Sequence, residues 1–358
     1  MSALDRFREK MDVQELDAFL VTQSENWRYL SGFRGTAAVL LITPDQQFLV
    51  TDSRYYERVK KEAPDWTLVK AGYKTNEALS QLLTDNQLSE AKIGYEADFV
   101  TVLQKQRWQE AMPSVNFVDT TEFVVRLRAI KTEAELATMR KAVAITDQAM
   151  AHIYTWIQPG MTEKEVAWEI ELFMRTHGGD ALAFDTIVAA GANGAIPHAS
   201  PSDYVIQLGD VVVIDVGCKV DGYCADLTRT FSVGEPVDNR YHSVWEIVKQ
   251  ANVAATAGIK AGLTGKAADA LAREVIKAAG YGDYFGHSLG HGVGLAIHEY
   301  PRLSNAYDEP LEAGSMITIE PGIYLPGAFG IRLEDLAVVT KEGVEVLTDI
   351  PKVAILER

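Results

Sequence analysis

The sequence predicts an α/β fold in two domains, on three observations: the chain length, the alternation of strand and helix patterns, and an internal repeat. The 358 residues exceed a typical single domain. Apolar runs of strand type alternate with helical patterns along the chain. We therefore predict an N-terminal α/β domain over residues 1–130 and a second α/β domain over residues 131–358, built from two related halves.

The N-terminal domain begins with strand patterns and continues with helical ones. Two apolar runs, 37–42 and 47–50, flank a turn at Pro44 and predict two buried strands. Helical patterns follow at 75–86 and 102–111. This alternation predicts a self-contained α/β domain.

A helix start marks the boundary between the domains. Thr132 followed by Glu135 is the sequence of a capping box, in which each side chain accepts from the other residue's backbone N–H. It opens a helical pattern that runs toward Trp156, and the basic segment 126–131 leads into it. The boundary is therefore expected near residue 130.

The second domain contains a repeat at one constant offset. Segment 157–164 recurs 102 residues later as segment 259–266, and Gly178 and Gly280 keep that offset. Each copy has a threonine suited to an N-cap, an amphipathic helix, and a glycine where the helix should end. Two similar helix starts can also arise by chance, but several matches at one offset favour a duplication. A duplication predicts pseudo-twofold symmetry, with a site where the halves meet.

Composition excludes several classes of function. The formal net charge is −16 without any basic run, so a nucleic-acid partner is not expected. No apolar stretch approaches 18 residues, and the N-terminus lacks the apolar core of a signal peptide, so no membrane association is predicted. Cys218 and Cys224 are the only cysteines, which favours a reducing, cytoplasmic location.

Two aspartates are predicted on one face of a hairpin. Asp215 follows the apolar run Val-Val-Val-Ile, and Asp221-Gly222 suits a two-residue turn. That register places Asp215 opposite Thr228 and makes Asp226 its diagonal neighbour on the same face. A surface hairpin with solvated aspartates fits the apolar run poorly. Two close, buried carboxylates require a cation or a shared proton, so we predict a metal site.

Three histidines lie close together in a glycine-rich segment, at positions 287, 291 and 298. Imidazoles supply neutral nitrogen ligands and proton carriers, and glycines allow close approach of a ligand. The glycine spacing does not match a dinucleotide fingerprint, and no His-Glu-x-x-His motif is present.

Two more carboxylates complete the candidate site. Glu320 ends an apolar strand pattern, and the strand predicted over 330–339 places Arg332 and Glu334 on one face. Taken singly, these residues also fit an exposed strand end and a surface ion pair. Four carboxylates and one imidazole suit two hard or borderline divalent ions better than a single zinc ion.

The candidate ligands, in their order and local context, resemble those of the pita-bread metallopeptidases, which include methionine aminopeptidase, aminopeptidase P and prolidase. Segments 221–231, 287–299 and 319–324 resemble the Xaa-Pro branch of that superfamily. Segments 29–33 and 51–55 resemble the creatinase-like N-terminal domain of the same branch, which methionine aminopeptidases usually lack. The resemblance implies a creatinase/aminopeptidase fold over residues 131–358 and a homodimer.

The resemblance also implies a dinuclear centre that activates water for attack on a peptide carbonyl. Asp226 and Glu334 would bridge two divalent ions, with Asp215 on one ion and His291 and Glu320 on the other. Mn²⁺ is the expected metal, with Co²⁺, Zn²⁺ and Fe²⁺ left open.

Further roles follow from the same resemblance. His198 would contact the substrate or the tetrahedral intermediate. His298 would donate a hydrogen bond, or shuttle a proton, to the leaving nitrogen. His287 is a catalytic candidate and equally a structural loop histidine. Thr228 and Arg332 are expected to orient the metal ligands.

Arg302 bears on the choice between two activities. Prolidases often carry an arginine here, which would pair with the free carboxylate of an Xaa-Pro dipeptide. A solvated loop arginine is the alternative, and an Xaa-Pro aminopeptidase acting on longer peptides would not need the pairing. A non-catalytic pita-bread binding protein is a remote alternative, because such proteins typically lose metal ligands. We therefore expect an Xaa-Pro dipeptidase.

Overall fold

A computed structural model describes residues 2–358, and the chain divides into two compact units. The first unit ends at Arg128 and the second comprises Ala129–Arg358. Both are mixed α/β structures, which confirms the predicted fold class.

The first unit is built on a six-stranded sheet of order β4-β3-β2-β1-β5-β6. Strand β2 runs antiparallel to both neighbours, and the other pairings are parallel. The strands are β1 Ala18–Val21, β2 Val39–Ile42, β3 Gln47–Thr51, β4 Thr67–Lys70, β5 Lys92–Glu96 and β6 Asn116–Thr120. The helices are α1 Ala3–Val13, α2 Ser24–Ser31, α3 Tyr56–Glu62, α4 Thr75–Asp85, α5 Val102–Ala111 and α6 Val125–Ala129.

The predicted N-terminal elements are confirmed. The two apolar runs form β2 and β3, which pair antiparallel with Ile42 opposite Gln47. The two helical patterns form α4 and α5. Phe19 and Trp108 are fully buried in two separate apolar clusters of this unit.

The second unit contains four α-helices and two short 3₁₀ helices among its described residues. The α-helices are α7 Glu133–Trp156, α8 Glu163–Thr176, α9 Tyr241–Gly258 and α10 Gly265–Ala278. The 3₁₀ helices are Gly191–Ala195 and Gly282–Tyr284. The predicted capping box opens α7, since the Thr132 side chain accepts from the Glu135 N–H and the Glu135 carboxylate accepts from the Thr132 N–H at 2.8 Å.

Two larger sheets and two small ones make up the β-structure of this unit. The larger sheets have the orders β20-β12-β9-β8 and β14-β13-β15-β18-β19, and the small ones are β11-β10-β7 and β16-β17. The first strands are β7 Ala181–Leu182, β8 Ile187–Ala190, β9 Val211–Val216, β10 Cys218–Val220, β11 Tyr223–Cys224, β12 Leu227–Val233 and β13 Gly290–Gly292. The remaining strands are β14 Glu299–Leu303, β15 Met316–Ile319, β16 Gly322–Leu325, β17 Phe329–Arg332, β18 Asp335–Val339, β19 Val344–Val346 and β20 Ile355–Leu356.

The two copies of the repeat have the same local structure. The helices α8 and α10 begin after N-cap threonines whose side chains accept a backbone N–H in the first turn. Before each helix the N–H of a glycine with positive φ donates to a carbonyl that is distant in sequence, Gly160 to Ile206 and Gly262 to Leu311. One apolar cluster contains residues of α7 and α8, and another contains residues of α9 and α10. These equivalences agree with a duplicated α/β half.

Candidate metal centre and active site

The aspartate hairpin has the predicted register. Val220 pairs with Tyr223, and Asp215 in β9 lies opposite Thr228 in β12. The turn residues Asp221 and Gly222 have φ values of 47° and 73°, as a type I′ turn requires. The pairs next to the turn belong to the small sheet that contains β10 and β11, whereas Asp215 and Thr228 pair in the larger sheet that contains β9 and β12.

Three carboxylates converge beside this hairpin. Asp215, Asp226 and Glu334 each offer an oxygen, and these oxygens lie within 4.8 Å of one another. Asp226 and Glu334 are buried, whereas Asp215 is partly exposed. Carboxylate oxygens grouped at this spacing match the donor set of a divalent-ion site.

The strand predicted over 330–339 is wrong as a single element. Strand β17 ends at Arg332 and β18 begins at Asp335, so Glu334 lies between two different sheets. The Glu334 N–H donates to the Thr228 carbonyl at 3.1 Å, which ties this break to the hairpin. Strand alternation along one chain segment could not reveal a partner from another strand.

His291 and Glu320 form the other side of the carboxylate group. His291 Nε2 lies 3.4 Å from Glu320 Oε1 and 3.6 Å from Asp226 Oδ2. His291 Nδ1 is 3.0 Å from the carbonyl of Gly292, so Nδ1 carries the proton and Nε2 faces the carboxylates. Asp226 is therefore adjacent to both subsets of candidate ligands.

Burial and mutual repulsion make this group of carboxylates unfavourable without a cation. Burial, followed by the charges of Glu334 and Asp215, raises the pKa of Asp226 well above its ordinary value. Burial raises the pKa of Glu320 to about 8, and burial lowers the pKa of His291 to about 4. Asp215 Oδ1 is buried and has no hydrogen-bond partner within residues 2–358. The donor set therefore fits divalent cations, which would satisfy that oxygen and offset the repulsion.

Arg332 and Thr228 hold the carboxylates in place. The buried Arg332 donates from Nη2 to Asp215 Oδ2 at 2.6 Å and from Nε to Thr228 Oγ1 at 3.0 Å. Thr228 Oγ1 in turn donates to Glu334 Oε2 at 2.6 Å. Arg332 thus binds Asp215 directly and reaches Glu334 only through Thr228.

Tyr324 is a site residue that the sequence analysis missed. Its hydroxyl accepts from Arg332 Nη1 at 2.8 Å and lies 2.9 Å from His287 Nε2. His287 Nδ1 lies 2.8 Å from the Ser288 carbonyl, so both ring nitrogens of His287 have partners. The position of Tyr324 in the segment Ile-Glu-Pro-Gly-Ile-Tyr was the signal available in the sequence.

A cavity of about 420 Å³ brings the predicted residues together. The candidate ligands line it, as do the four predicted substrate-contacting or catalytic residues His198, His287, His298 and Arg302. The His298 ring lies 4.3 Å from the His291 ring, centroid to centroid. Arg302 in β14 pairs with His291 in β13, is exposed, and makes no ion pair among residues 2–358.

Two protein-family models match the chain. The model described as metallopeptidase family M24 matches residues 137–341. The chain belongs to this family. The model described as the creatinase/prolidase N-terminal domain matches residues 4–130. Membership of family M24 implies dinuclear binding of divalent metal ions, in agreement with the donor set described above.

Relatives within this family match the chain over nearly its full length. The Xaa-Pro dipeptidase of Pyrococcus furiosus is 36% identical and the match covers 96% of this chain and 97% of the relative. A structure titled Xaa-Pro dipeptidase from Bacillus anthracis has a TM-score of 0.95 at 41% identity and covers 99% of both chains. A structure of an X-Pro aminopeptidase from Thermotoga maritima has a TM-score of 0.88 at 39% identity, covering 97% of this chain and 99% of that one.

This M24 chain contains a second buried polar contact that the sequence analysis missed. Lys131 Nζ lies 2.6 Å from Glu299 Oε1, and the two side chains are 1% and 2% exposed. Glu299 follows the predicted catalytic His298 directly and lines the cavity.

None of the described helices combines the length and apolar character needed to cross a bilayer.

Proposed function

We propose that this M24 metallopeptidase hydrolyses Xaa-Pro dipeptides with two bound divalent ions, Mn²⁺ being the expected metal. The observation that carries the proposal is one cavity in which the five candidate ligands lie beside an exposed arginine, Arg302, which forms no ion pair with any described residue. The names of the relatives from Pyrococcus furiosus and Bacillus anthracis support the same activity.

Five side chains would hold the ions. Asp215 would bind one ion and His291 and Glu320 the other, and Asp226 and Glu334 would contribute to both. The position of Asp226 between both subsets supports a bridging role. Bound divalent ions would polarise the scissile carbonyl and lower the pKa of a water molecule.

The remaining residues bind the substrate and move protons. His298 lines the cavity beside His291, where it would donate a hydrogen bond to the leaving proline nitrogen. His198 would bind the substrate carbonyl and the tetrahedral intermediate. His287 was predicted as a catalytic candidate, and because both its nitrogens are engaged we expect it to orient Tyr324 instead. Arg332 and Thr228 keep Asp215 and Glu334 in place for metal binding.

Arg302 supports a dipeptidase over an aminopeptidase. A dipeptide ends in a carboxylate directly after proline, and a guanidinium binds a carboxylate with two parallel hydrogen bonds. Longer peptides have an uncharged amide at that point. Xaa-Pro aminopeptidase activity remains the second candidate, favoured by the name of the Thermotoga maritima structure.

A hydrolysis panel tests the proposal. Purified protein with added Mn²⁺ is assayed on Ala-Pro, Ala-Pro-Ala, Met-Ala-Ala and Ala-Ala. We expect the highest kcat/KM for Ala-Pro. Faster cleavage of Ala-Pro-Ala would indicate an aminopeptidase, and cleavage of no peptide, with no bound metal, would indicate a non-catalytic binding protein.

We also propose a cytoplasmic homodimer, on the resemblance to the Xaa-Pro branch and on the low cysteine content. Analytical ultracentrifugation tests the oligomeric state, since a dimer sediments with twice the 39.4 kDa chain mass. A monomer at micromolar concentration would contradict it.

A further inference from the structure

A single buried carboxylate holds the segment that carries His198. This segment, residues 190–202, is called the His198 loop. It runs from the last residue of β8 to Ser202, and His198 projects from it with an exposed side chain that lines the cavity. The contacts that fix the loop are therefore made by loop residues on either side of His198 and not by His198 itself.

Glu163, the first residue of α8, contacts the loop at both ends and in the middle. Its side chain is fully buried. Oε1 accepts from the Ala190 N–H at 2.7 Å, and Oε2 accepts from the Ser202 N–H at 2.9 Å and from Ser202 Oγ at 2.6 Å. Asn193 Nδ2 donates to both oxygens at 3.1 Å. One carboxylate thus accepts from three loop residues.

The second anchor of the loop is close to His198 itself. Arg332 Nη1 donates to the Pro197 carbonyl at 3.2 Å, and the same guanidinium binds Asp215. The loop is therefore tied to the candidate metal centre at Pro197 and to α8 at its two ends. It also packs against β17, where a Cβ at Gly330 would lie 1.9 Å from the Gly194 carbonyl oxygen.

The second copy of the repeat shows that a helix start of this kind does not need the carboxylate. Gly265 stands at the position equivalent to Glu163, and α10 begins after its N-cap threonine in the same way as α8. A Cβ at Gly265 would lie 2.1 Å from the Arg302 carbonyl oxygen, so the strand bearing Arg302 packs directly on the helix start. The two halves thus place their candidate substrate contacts against equivalent helix starts, one through backbone packing and one through Glu163.

We propose that Glu163 is a positioning residue that holds His198 in place for substrate binding. The proposal rests on the proposed function, in which His198 contacts the substrate. In Glu163→Gln the amide keeps one acceptor oxygen, and its NH₂ group faces loop N–H donors instead of accepting from them. The buried donors lose a charged acceptor and the loop loosens. Misplacement of a substrate contact by about 1 Å can cost about 100-fold in rate.

A double-mutant cycle tests this role against a merely structural one. Glu163→Gln, His198→Ala and the double variant are assayed for kcat/KM on Ala-Pro with saturating Mn²⁺. We expect Glu163→Gln to lower kcat/KM by about 10-fold or more, and by less than about twofold when His198 is already alanine. Equal losses in both backgrounds would overturn the proposal.

Glu165→Gln is the matched control, because Glu165 is exposed and lies two residues after Glu163 in the first turn of the same helix. Among the described residues its side chain hydrogen-bonds only to Thr162. Hydrogen–deuterium exchange measures how well the backbone amides of the loop are protected, independently of activity. We expect faster exchange of amides 191–201 in Glu163→Gln and not in Glu165→Gln. Unchanged loop exchange in Glu163→Gln would overturn the positioning role, whatever the activity of the wild type. Absence of Xaa-Pro dipeptide hydrolysis by the wild type would instead count against the proposed function.

Ser202→Ala provides a milder variant if Glu163→Gln does not fold. It removes the 2.6 Å hydroxyl contact and keeps the carboxylate. We expect a smaller effect of the same kind, namely a loss of kcat/KM that disappears in the His198→Ala background. A loss that persists there would contradict the positioning role.

Discussion

At the residue scale, the candidate metal centre combines charges that repel with charges that pair. Asp226 lies among other carboxylates, and its pKa is raised by burial and by Glu334 and Asp215. Asp335, the residue after Glu334, has the opposite environment. Although burial opposes its ionisation, Arg229 and Lys352 hold the pKa of Asp335 below its ordinary value. In the metal-free protein, ionised Asp226 is therefore destabilising, whereas ionised Asp335 is stabilising.

The first prediction compares these two acids in metal-free protein at pH 8. Asp226→Asn removes a repelling buried charge, so we expect a higher Tm than the metal-free wild type together with loss of metal-dependent activity. Asp335→Asn leaves two cations without their partner, so we expect a loss of about 3–5 kcal/mol. Calorimetry measures both. A Tm decrease in Asp226→Asn as large as in Asp335→Asn would contradict the electrostatic explanation.

The second prediction concerns Arg302. Arg302→Ala should raise KM for Ala-Pro by about 10- to 100-fold, because a charge-assisted hydrogen bond to the substrate carboxylate contributes about 1.5–3 kcal/mol. KM for Ala-Pro-Ala should change by less than about twofold. Arg302→Lys is the control that retains the charge, and it should lose less. Equal effects on both peptides would indicate that Arg302 does not read the carboxylate.

At the element scale, tight turns and close backbone approaches place the ligands. Asp215 and Asp226 come together because the turn at Asp221-Gly222 sets the hairpin register. At Gly217 a Cβ would lie 1.9 Å from the Ala225 carbonyl oxygen, so only glycine allows the two sides of the hairpin to approach there.

The third prediction tests the turn. Gly222→Ala places a Cβ at a φ of 73°, so we expect a loss of about 1 kcal/mol in the free energy of unfolding, measured with urea. Gly343→Ala is the matched control, because its φ is not in the left-handed region and no atom lies within 4 Å of the added Cβ. Similar losses in both variants would show that the turn conformation does not matter.

These elements also show how much the sequence reveals. The hairpin register and the capping box at Thr132 are local patterns, and the structure confirms them. The contacts that were missed join distant parts of the chain: Lys131 and Glu299 are 168 residues apart, and Glu163 and Ser202 are 39 apart. No periodicity in one segment reports such a pairing. The strand break at Glu334 was missed for the same reason, since its partner Thr228 lies 106 residues earlier.

At the scale of the whole molecule, all the candidate ligands belong to the unit Ala129–Arg358 and come from both copies of its repeat. Asp215 and Asp226 follow the first copy, and His291, Glu320 and Glu334 follow the second. A bound ion would therefore link the halves. Binding to the folded state alone stabilises a protein by mass action.

The fourth prediction follows from this linkage. Each divalent ion present at 100 times its Kd should add about 2.7 kcal/mol to the free energy of unfolding, and a chelator should remove that stability and the activity together. Denaturant unfolding with and without Mn²⁺ measures it. Glu320→Gln should show a smaller gain on adding Mn²⁺ than the wild type. A gain as large as that of the wild type would remove Glu320 from the ligand set.

The most direct test of a dinuclear peptidase is a titration of metal-free protein with Mn²⁺, in which bound metal and Ala-Pro hydrolysis are followed in the same samples. We predict that hydrolysis is absent without metal, rises with bound Mn²⁺ and saturates at two ions per chain. Full hydrolysis by metal-free protein, or full activity with a single bound ion, would contradict the account.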